Sequence, residues 1–317
     1  MVYIEKTKDF QIQEPTVVTI GKFDGRHRGH QKLLGAMEEF KQKCHYRTAV
    51  FTFSVAPADL VQGTRHTVIT TNLERRNNLK KIGIDYLVEY PFTKEAAHMP
   101  AETFVREILA GKMGMKAIVV GPDCRFGYQR AGDARLLAEL APRYGYQLKV
   151  IEKEKDEDRD ISSTYVREML DLGQIEKANE LLGEPYYIHG VVVHGNHIGE
   201  PVLGFPTANL RPPAEKHLPP FGVYVSETRI DGMVYKGVTN IGRKPTIKTE
   251  EGISPVGVET FVFDYHGDLY GKEIEVGLLH FIRPERKMSG MEELKGQIER
   301  DKEVARGFFA DIVGGDF

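Results

Sequence analysis

A chain of 317 residues, 41% hydrophobic and 28% charged, is long enough for one large domain or two ordinary ones and too apolar to be disordered. Its formal net charge of −3 argues against a generally basic, nucleic-acid-binding surface, and no apolar run approaches the ~18 residues of a membrane span. Two cysteines, Cys44 and Cys124, make neither a disulfide framework nor a zinc pattern, which suits a reducing cytoplasm. The opening "MVYIEKTKDFQIQEP" breaks its apolar residues with charges every few positions, so no signal peptide is expected and the protein reads as cytoplasmic.

In chain order, "TVVTIG" reads as a buried strand and "HQKLLGAMEEFKQKC" as a helix. Then come the strand "RTAVFTF", the helix "NLERRNNLKKIG" and the strand "IDYLVEY". "PAETFVREILAGKMG" is helical with Pro100 in its first turn, "KAIVVG" a strand, "DARLLAELAPRYG" a helix interrupted by Pro142, and "YQLKVIE" a strand. This alternation predicts a parallel sheet with helices on both faces, and ligands in such sheets bind beyond the carboxyl ends of the strands. The charge run "EKEKDEDRD", Glu152 to Asp160, reads as a solvated loop, with a mobile flap as the alternative.

Two short helical stretches follow, from about Ser162 to Asp171 and from Ile175 to Leu182, and the character changes near "LLGEPYYI". Beyond it lie short strands rich in Val, Tyr and Phe: "YIHGVVVHG", "GVYVSETRI", "VYKGVTNIG", "PVGVETFVFDY" and "EIEVGLLHFIR". "IDG" and "YHGD" look like hairpin turns. A closed or partly closed antiparallel barrel is the natural solution, followed by one helix, "MEELKGQIERDKEVARGFFADI". The expected division is 1–184 and 185–317.

The stretch "GKFDGRHRGHQKLL" places glycines and two histidines, His27 and His30, between a strand and a helix. A glycine-rich turn into a helix N-terminus makes an anion site, where N–H groups and the positive end of the helix face a phosphate. Histidines at i and i+3 project from one side of the first turn and can hydrogen-bond a phosphate or a developing charge. Metal ligation and plain surface placement are the alternatives, though two histidines without an obvious third ligand make a weak zinc site.

"HRGH" matches the H-x-G-H signature of the nucleotidylyltransferase superfamily, and "GKFDGRHRGH" resembles the FAD-synthetase branch of the bacterial bifunctional riboflavin kinase/FAD synthetases. "GPDCRFG" (121–127) is similar to the family's second motif and "ISSTYVR" (161–167) to its third. The likeness continues through "VVHGNHIG", "LGFPTANL", "FGVYV", "GVTNIGRKPT", "VETFVFDY", "LYGK" and "FIRPE", over nearly the whole chain. It implies a Rossmann-like nucleotidylyltransferase domain (1–184) and an antiparallel β-barrel riboflavin kinase domain (185–317) ending in a helix. Together they would phosphorylate riboflavin to FMN and adenylylate FMN to FAD, with ATP as co-substrate and Mg2+ as cofactor.

For adenylyl transfer the resemblance implies that His27, His30 and Arg167 act on the phosphates. Gly21, Lys22, Phe23, Asp24, Gly29, Ser163 and Thr164 would line the nucleotide site, with Asp24 organising the loop. Asp123, Arg125 and Phe126 would meet the flavin, although a salt-bridged loop for Asp123 and Arg125 and core packing for Phe126 remain open. For phosphoryl transfer it implies magnesium on Thr207 and Asn209, whose side chains point the same way along an extended segment. It also implies Glu259 as the base, Gly195 and Gly199 in a glycine-rich flap over the nucleotide, and Arg283 at the flavin pocket. Cys124 stands where the second motif more often has Phe, Glu200 where a basic residue is expected, and Met288 at a commonly aromatic position. The expected partners are the small molecules riboflavin, FMN and ATP, with no nucleic acid and no membrane, and a homo-oligomer left open. The alternatives are a nucleotidylyltransferase of another substrate class with a degenerate barrel, and a flavin-binding regulator that has lost catalysis.

Overall fold

Five β-branched or apolar residues in a row cannot keep one face wet, and Thr16–Ile20 accordingly forms a strand buried on both sides. It lies at the centre of the first of two compact units, Met1–Ser163 and Thr164–Phe317, into which the chain divides in a computed structural model that describes residues 1–54, 67–194, 207–243 and 256–314. The first unit runs β1 (Val2–Glu5), β2 (Thr16–Ile20), α1 (Arg28–Cys44), β3 (Arg47–Phe53), α2 (Asn72–Lys81) and β4 (Tyr86–Tyr90). It continues with α3 (Lys94–Ala97), α4 (Phe104–Lys112), β5 (Met115–Val120), α5 (Ala134–Tyr144), β6 (Gln147–Val150) and the two-residue pair β7 (Lys155–Asp156) and β8 (Arg159–Asp160).

The six-stranded sheet has the order β1-β4-β3-β2-β5-β6, and every pairing is parallel. From β2 the chain steps outward through β3 and β4, then returns to β5 on the other side of β2. That reversal opens a crevice at the carboxyl ends of β2 and β5, where the "GKFDGRHRGH" and "GPDCRFG" segments begin. Each face of the sheet has its own core: Val18, Phe51, Leu109 and Ile118 on one side, Val17, Met37, Leu79 and Val119 on the other. Burying each such side chain contributes about 1.5–3 kcal/mol.

Three local features depart from the sequence reading. The edge strand β1 was not anticipated. The helix expected to break at Pro142 runs on through it, because Pro142 sits near the C-terminal end, where a missing N–H costs one intrahelical bond before Gly145 (φ +66°) ends the helix. The charge run is an ion-paired hairpin: Glu154 meets Arg28 (3.0 Å) and Lys32 (3.2 Å) on α1, while Lys153 spans Asp123 (3.2 Å) and Asp160 (3.0 Å). α4 is π-type, and its closing bond joins the Met113 N–H to the Ile108 carbonyl at 2.9 Å, five residues back.

The second unit contains α6 (Ser163–Asp171, from its second residue), α7 (Ile175–Leu182), β9 (Tyr186–Val191), β10 (Thr207–Leu210), β11 (Gly222–Ile230), β12 (Met233–Arg243), β13 (Val256–Val262), β14 (Glu273–Pro284) and α8 (Met291–Gly314). Its sheet, ordered β10-β13-β12-β11-β14-β9, is antiparallel throughout. The Val193 N–H just past β9 donates to the Asn209 carbonyl on β10 (2.9 Å), drawing the two edges of the sheet together. "IDG" makes the tight β11–β12 turn, with Asp231 (φ +48°) and Gly232 (φ +85°) both left-handed as such a hairpin requires. α8 covers one face through Ala305 and Phe309, which pack with Val225 and Phe263.

The compact division falls earlier than residue 184, and α7 shows why. Asn179 donates to the Leu278 carbonyl (2.8 Å) and accepts from the Tyr186 N–H (2.7 Å), so this helix is pinned to β14 and β9.

Candidate active sites

The first site grows from the turn between β2 and α1. The Gly21 N–H bonds the Phe51 carbonyl at 3.1 Å, and the chain then turns through Phe23, which is 2% exposed with φ +49°. Gly21 and Lys22 are exposed at the lip of the turn. Asp24 is buried and its carboxylate accepts the Thr70 N–H (3.0 Å), while the Thr70 hydroxyl accepts the Gly25 N–H (3.0 Å). Ser163 donates its hydroxyl to the Asp24 carbonyl at 2.6 Å, so the start of "SSTYVR" also fastens this loop. Gly25 has φ +65°, and a Cβ there would lie 2.9 Å from Ile69 Cγ2.

His27 occupies the N-cap of α1 without capping it by its side chain, and no acidic residue follows in the first turn. The helix N-terminus therefore keeps its positive end for an incoming anion. The rings of His27 and His30 stack at 3.8 Å with planes 23° apart, and Phe23 lies against His30 at 4.8 Å. His30 Nδ1 is 3.0 Å from the Gly25 carbonyl, an acceptor only, so Nδ1 carries the proton and Nε2 is left to the site. His27 is 7% exposed, and its Nδ1 is buried without a hydrogen-bond partner. Burial, reinforced by neighbouring His30, pushes the His27 imidazole down to about 3, and burial also lowers His30. Gly29 leaves room for this pair: a Cβ there would stand 3.2 Å from His27 Nδ1.

Across the crevice, beyond β5, Asp123 and Arg125 are exposed. Asp123 pairs with Lys153 as described, and Arg125 bonds the Cys124 carbonyl (3.0 Å), with Asp133 3.7 Å away. Phe126 is in the core, 8% exposed, with its ring 5.9 Å from that of Phe104. Burial pushes the Cys124 thiol up to about 12, so it is a packing group rather than a reactive one.

The second unit assembles its candidate residues by register. Asn209 on β10 lies directly opposite Glu259 on β13, and Glu259 lies opposite Asn240 on β12. Directly opposed residues share a face, and Thr207 shares it with Asn209 two positions away. The Asn209 amide nitrogen is 3.2 Å from the Thr207 carbonyl and 3.4 Å from its hydroxyl; Asn209 is buried, Thr207 and Glu259 half-buried. Thr207 is opposite Phe261, over whose ring the buried Lys302 of α8 stands at 4.9 Å. Arg283 on β14 is opposite Val223 and forks onto Asp301 of α8, Nε–Oδ1 2.9 Å and Nη2–Oδ2 2.7 Å. Within this unit Thr164 is exposed and Arg167 half-buried on α6. Gly195, Gly199 and Glu200 lie outside the described residues. Asn240 was not singled out in the sequence, nor were Thr70 and Thr71; "TNLE" at the start of α2 is a readable capping box, with both of its bonds formed.

These arrangements define a two-module transferase: a parallel α/β unit with a phosphate-suited turn at its switch point, and an antiparallel barrel with an oxygen-rich patch on one face. The FAD synthetase family model matches residues 9–165, and the riboflavin kinase family model residues 182–309. The chain is 37% identical over 302 residues to the bifunctional riboflavin kinase/FMN adenylyltransferase of Escherichia coli K12, covering 94% of each chain. It is 33% identical over 303 residues to that of Bacillus subtilis, covering 95% of this chain and 94% of the other. A solved structure from Streptococcus pneumoniae, described as a macrolide-efflux protein, superposes with TM-score 0.83 at 30% identity over 96% of this chain and 98% of that one. The chain belongs to the family of bifunctional riboflavin kinase/FMN adenylyltransferases. Among the described residues no helix is long and apolar enough to cross a membrane.

Proposed function

We propose that the two modules divide the family's two reactions, adenylylation of FMN in the N-terminal one and phosphorylation of riboflavin in the C-terminal one. The modules are taken as 1–184 and 185–317, which keeps the whole "ISSTYVR" segment with the adenylylating half. The observation that carries the first assignment is the stacked histidine pair at an open helix N-terminus, with the buried His27 Nδ1 lacking a partner in the protein. A buried polar atom of this kind calls for a ligand acceptor or donor, and a phosphate supplies one.

In the forward reaction an FMN phosphate oxygen attacks the α-phosphorus of ATP, the bond to the β-phosphate breaks, and pyrophosphate leaves. The nucleophile is already anionic, so the protein's task is to position it and to stabilise charge on the leaving group. The His30 proton on Nδ1 is committed to the Gly25 carbonyl, so Nε2 donates only once the ring is protonated, and a phosphate placed against it favours that state. Gly21, Lys22, Phe23, Asp24, Gly29, Ser163 and Thr164 shape the nucleotide site, and Arg167 serves as a phosphate donor. Asp123 and Arg125 face the flavin from the second loop, with Phe126 beneath them.

For phosphoryl transfer Glu259 takes the proton of the terminal ribityl hydroxyl as its oxygen attacks the γ-phosphorus and the bond to ADP breaks. Thr207 and Asn209 offer neutral oxygen donors side by side on one face, a set that suits magnesium and not zinc. Those residues would hold the ion, which supplies neutralisation of phosphate charge when bound. Gly195 and Gly199 are assigned to the nucleotide flap, and Arg283, fixed by Asp301, is assigned to the flavin pocket. A cytoplasmic location remains part of the proposal, and the oligomeric state is left open. The test is a time course of the purified chain with riboflavin, ATP and magnesium, the flavins separated by chromatography. FMN that rises and then gives way to FAD supports the division; flavin bound without turnover overturns it in favour of a regulator.

A further inference from the structure

Behind the first turn lies a buried charge cluster that the reactions above do not use. Glu89 of β4 is fully buried, 0% exposed, with one carboxylate oxygen on Arg75 Nη2 (2.5 Å) and the other on Arg76 Nη2 (2.9 Å) and the Tyr3 hydroxyl (2.7 Å). Arg75, itself 7% exposed, spends its second terminal nitrogen elsewhere: Nη1 donates to the Lys22 carbonyl at 3.3 Å. One planar guanidinium thus joins an immobile carboxylate in the sheet to the backbone of the phosphate-facing loop. Arg75 is placed there by the first turn of α2, and Thr70, just before the helix N-cap Thr71, holds Asp24 and Gly25 of the same loop.

The bonded carbonyl belongs to the peptide that leads into Phe23, the residue with φ +49°. A phenylalanine avoids this left-handed conformation. Turning the Lys22–Phe23 peptide over would return Phe23 to the ordinary side of φ, and would also swing the Lys22 carbonyl away from Arg75. The Phe23 ring in turn packs against His30. We propose that Arg75, braced on Glu89, is a positioning residue for adenylyl transfer: it holds the Lys22–Phe23 peptide against this flip and so fixes, through Phe23, the His30 ring at the phosphate site. The proposal rests on the reading that His27 and His30 serve that reaction.

The test is Arg75→Lys in the full chain. Lysine keeps a positive charge beside Glu89 but lacks the planar fork that spans Glu89 and Lys22. The expected result is a roughly tenfold fall in kcat for FMN adenylylation, with riboflavin phosphorylation by the same chain unchanged. The imidazole Hε1 NMR resonances of His27 and His30 should shift as well. A kcat within twofold of the parent with unmoved resonances overturns the proposal. So does a loss of adenylylation that merely tracks a lowered unfolding midpoint while the resonances of the folded chain stay in place. His27→Ala run in parallel separates the two claims: if it leaves adenylylation intact the site reading fails, and if it abolishes adenylylation while Arg75→Lys does nothing, only the brace fails.

Discussion

The first unit presents His27 and His30 where a turn runs into the start of α1, and the second presents Thr207, Asn209 and Glu259 from the face of a sheet. A turn has no ladder to hold it, so the first site is fastened from outside: by Thr70 to Asp24 and Gly25, by Ser163 to the Asp24 carbonyl, and by Arg75 to the Lys22 carbonyl. In the second site the strand register itself sets Asn209 beside Glu259, and Glu259 beside Asn240. The first arrangement suits chemistry done by positioning an anion that is already nucleophilic. The second suits chemistry that needs a base and oxygen donors at fixed spacing. It follows that the turn is vulnerable to substitutions far from the phosphates, whereas the sheet site is vulnerable chiefly at the reacting side chains.

The largest expected effect is at Glu259. Glu259→Gln keeps the shape and removes the proposed base, and should lower riboflavin phosphorylation by about 10²–10⁴ while supplied FMN is still converted to FAD; parallel steady-state assays on both flavins check this. His27→Ala should do the reverse, with adenylylation falling by about 10²–10³ and FMN formation unchanged. A drop of similar size in both reactions would erase the contrast between the sites.

Acid should distinguish the units next. The folded-state value of about 3 for His27, against 6.5 for the free side chain, means that the unfolded chain binds this proton first. The stability of the first unit is therefore full above about pH 6.5 and is lost as pH falls toward 3, by about 1.4 kcal/mol per pH unit from this group. Native-state hydrogen exchange at the β2 amides between pH 7 and 5 reads that slope, and His27→Asn should flatten it. The smallest effect is expected at Gly25→Ala, where φ +65° and the close Ile69 contact should cost the first unit about 1–3 kcal/mol by the same exchange measurement.

Much of this was legible in the residues themselves. Strand–helix alternation up to "YQLKVIE" announced the parallel sheet, and the glycines and histidines of the turn into α1 marked the segment for which an anion site is proposed. The spacing of Thr207 and Asn209 announced a shared face. Other parts were hidden because they depend on contacts distant in sequence. β1 is four residues long, with only its two middle positions half-buried, so its period was too brief to register. α7 is amphipathic like any helix, and only the bonds from Asn179 to β9 and β14 reveal which unit it packs in. A glutamate inside "YLVEY" was a visible anomaly for a doubly buried strand, but its partners Tyr3, Arg75 and Arg76 come from other elements. Asn240 acquires its interest only when β12 is registered against β13.

The most direct test of the central claim, that each proposed module carries its own complete chemistry, is complementation between two full-length variants. His27→Ala and Glu259→Gln chains are assayed separately and then mixed, with riboflavin, ATP and magnesium, and the flavins are followed by chromatography. The account predicts that the first stalls at FMN, that the second leaves riboflavin untouched yet converts supplied FMN, and that the mixture makes FAD. A His27→Ala chain that makes no FMN, or a Glu259→Gln chain that cannot turn supplied FMN into FAD, would contradict it.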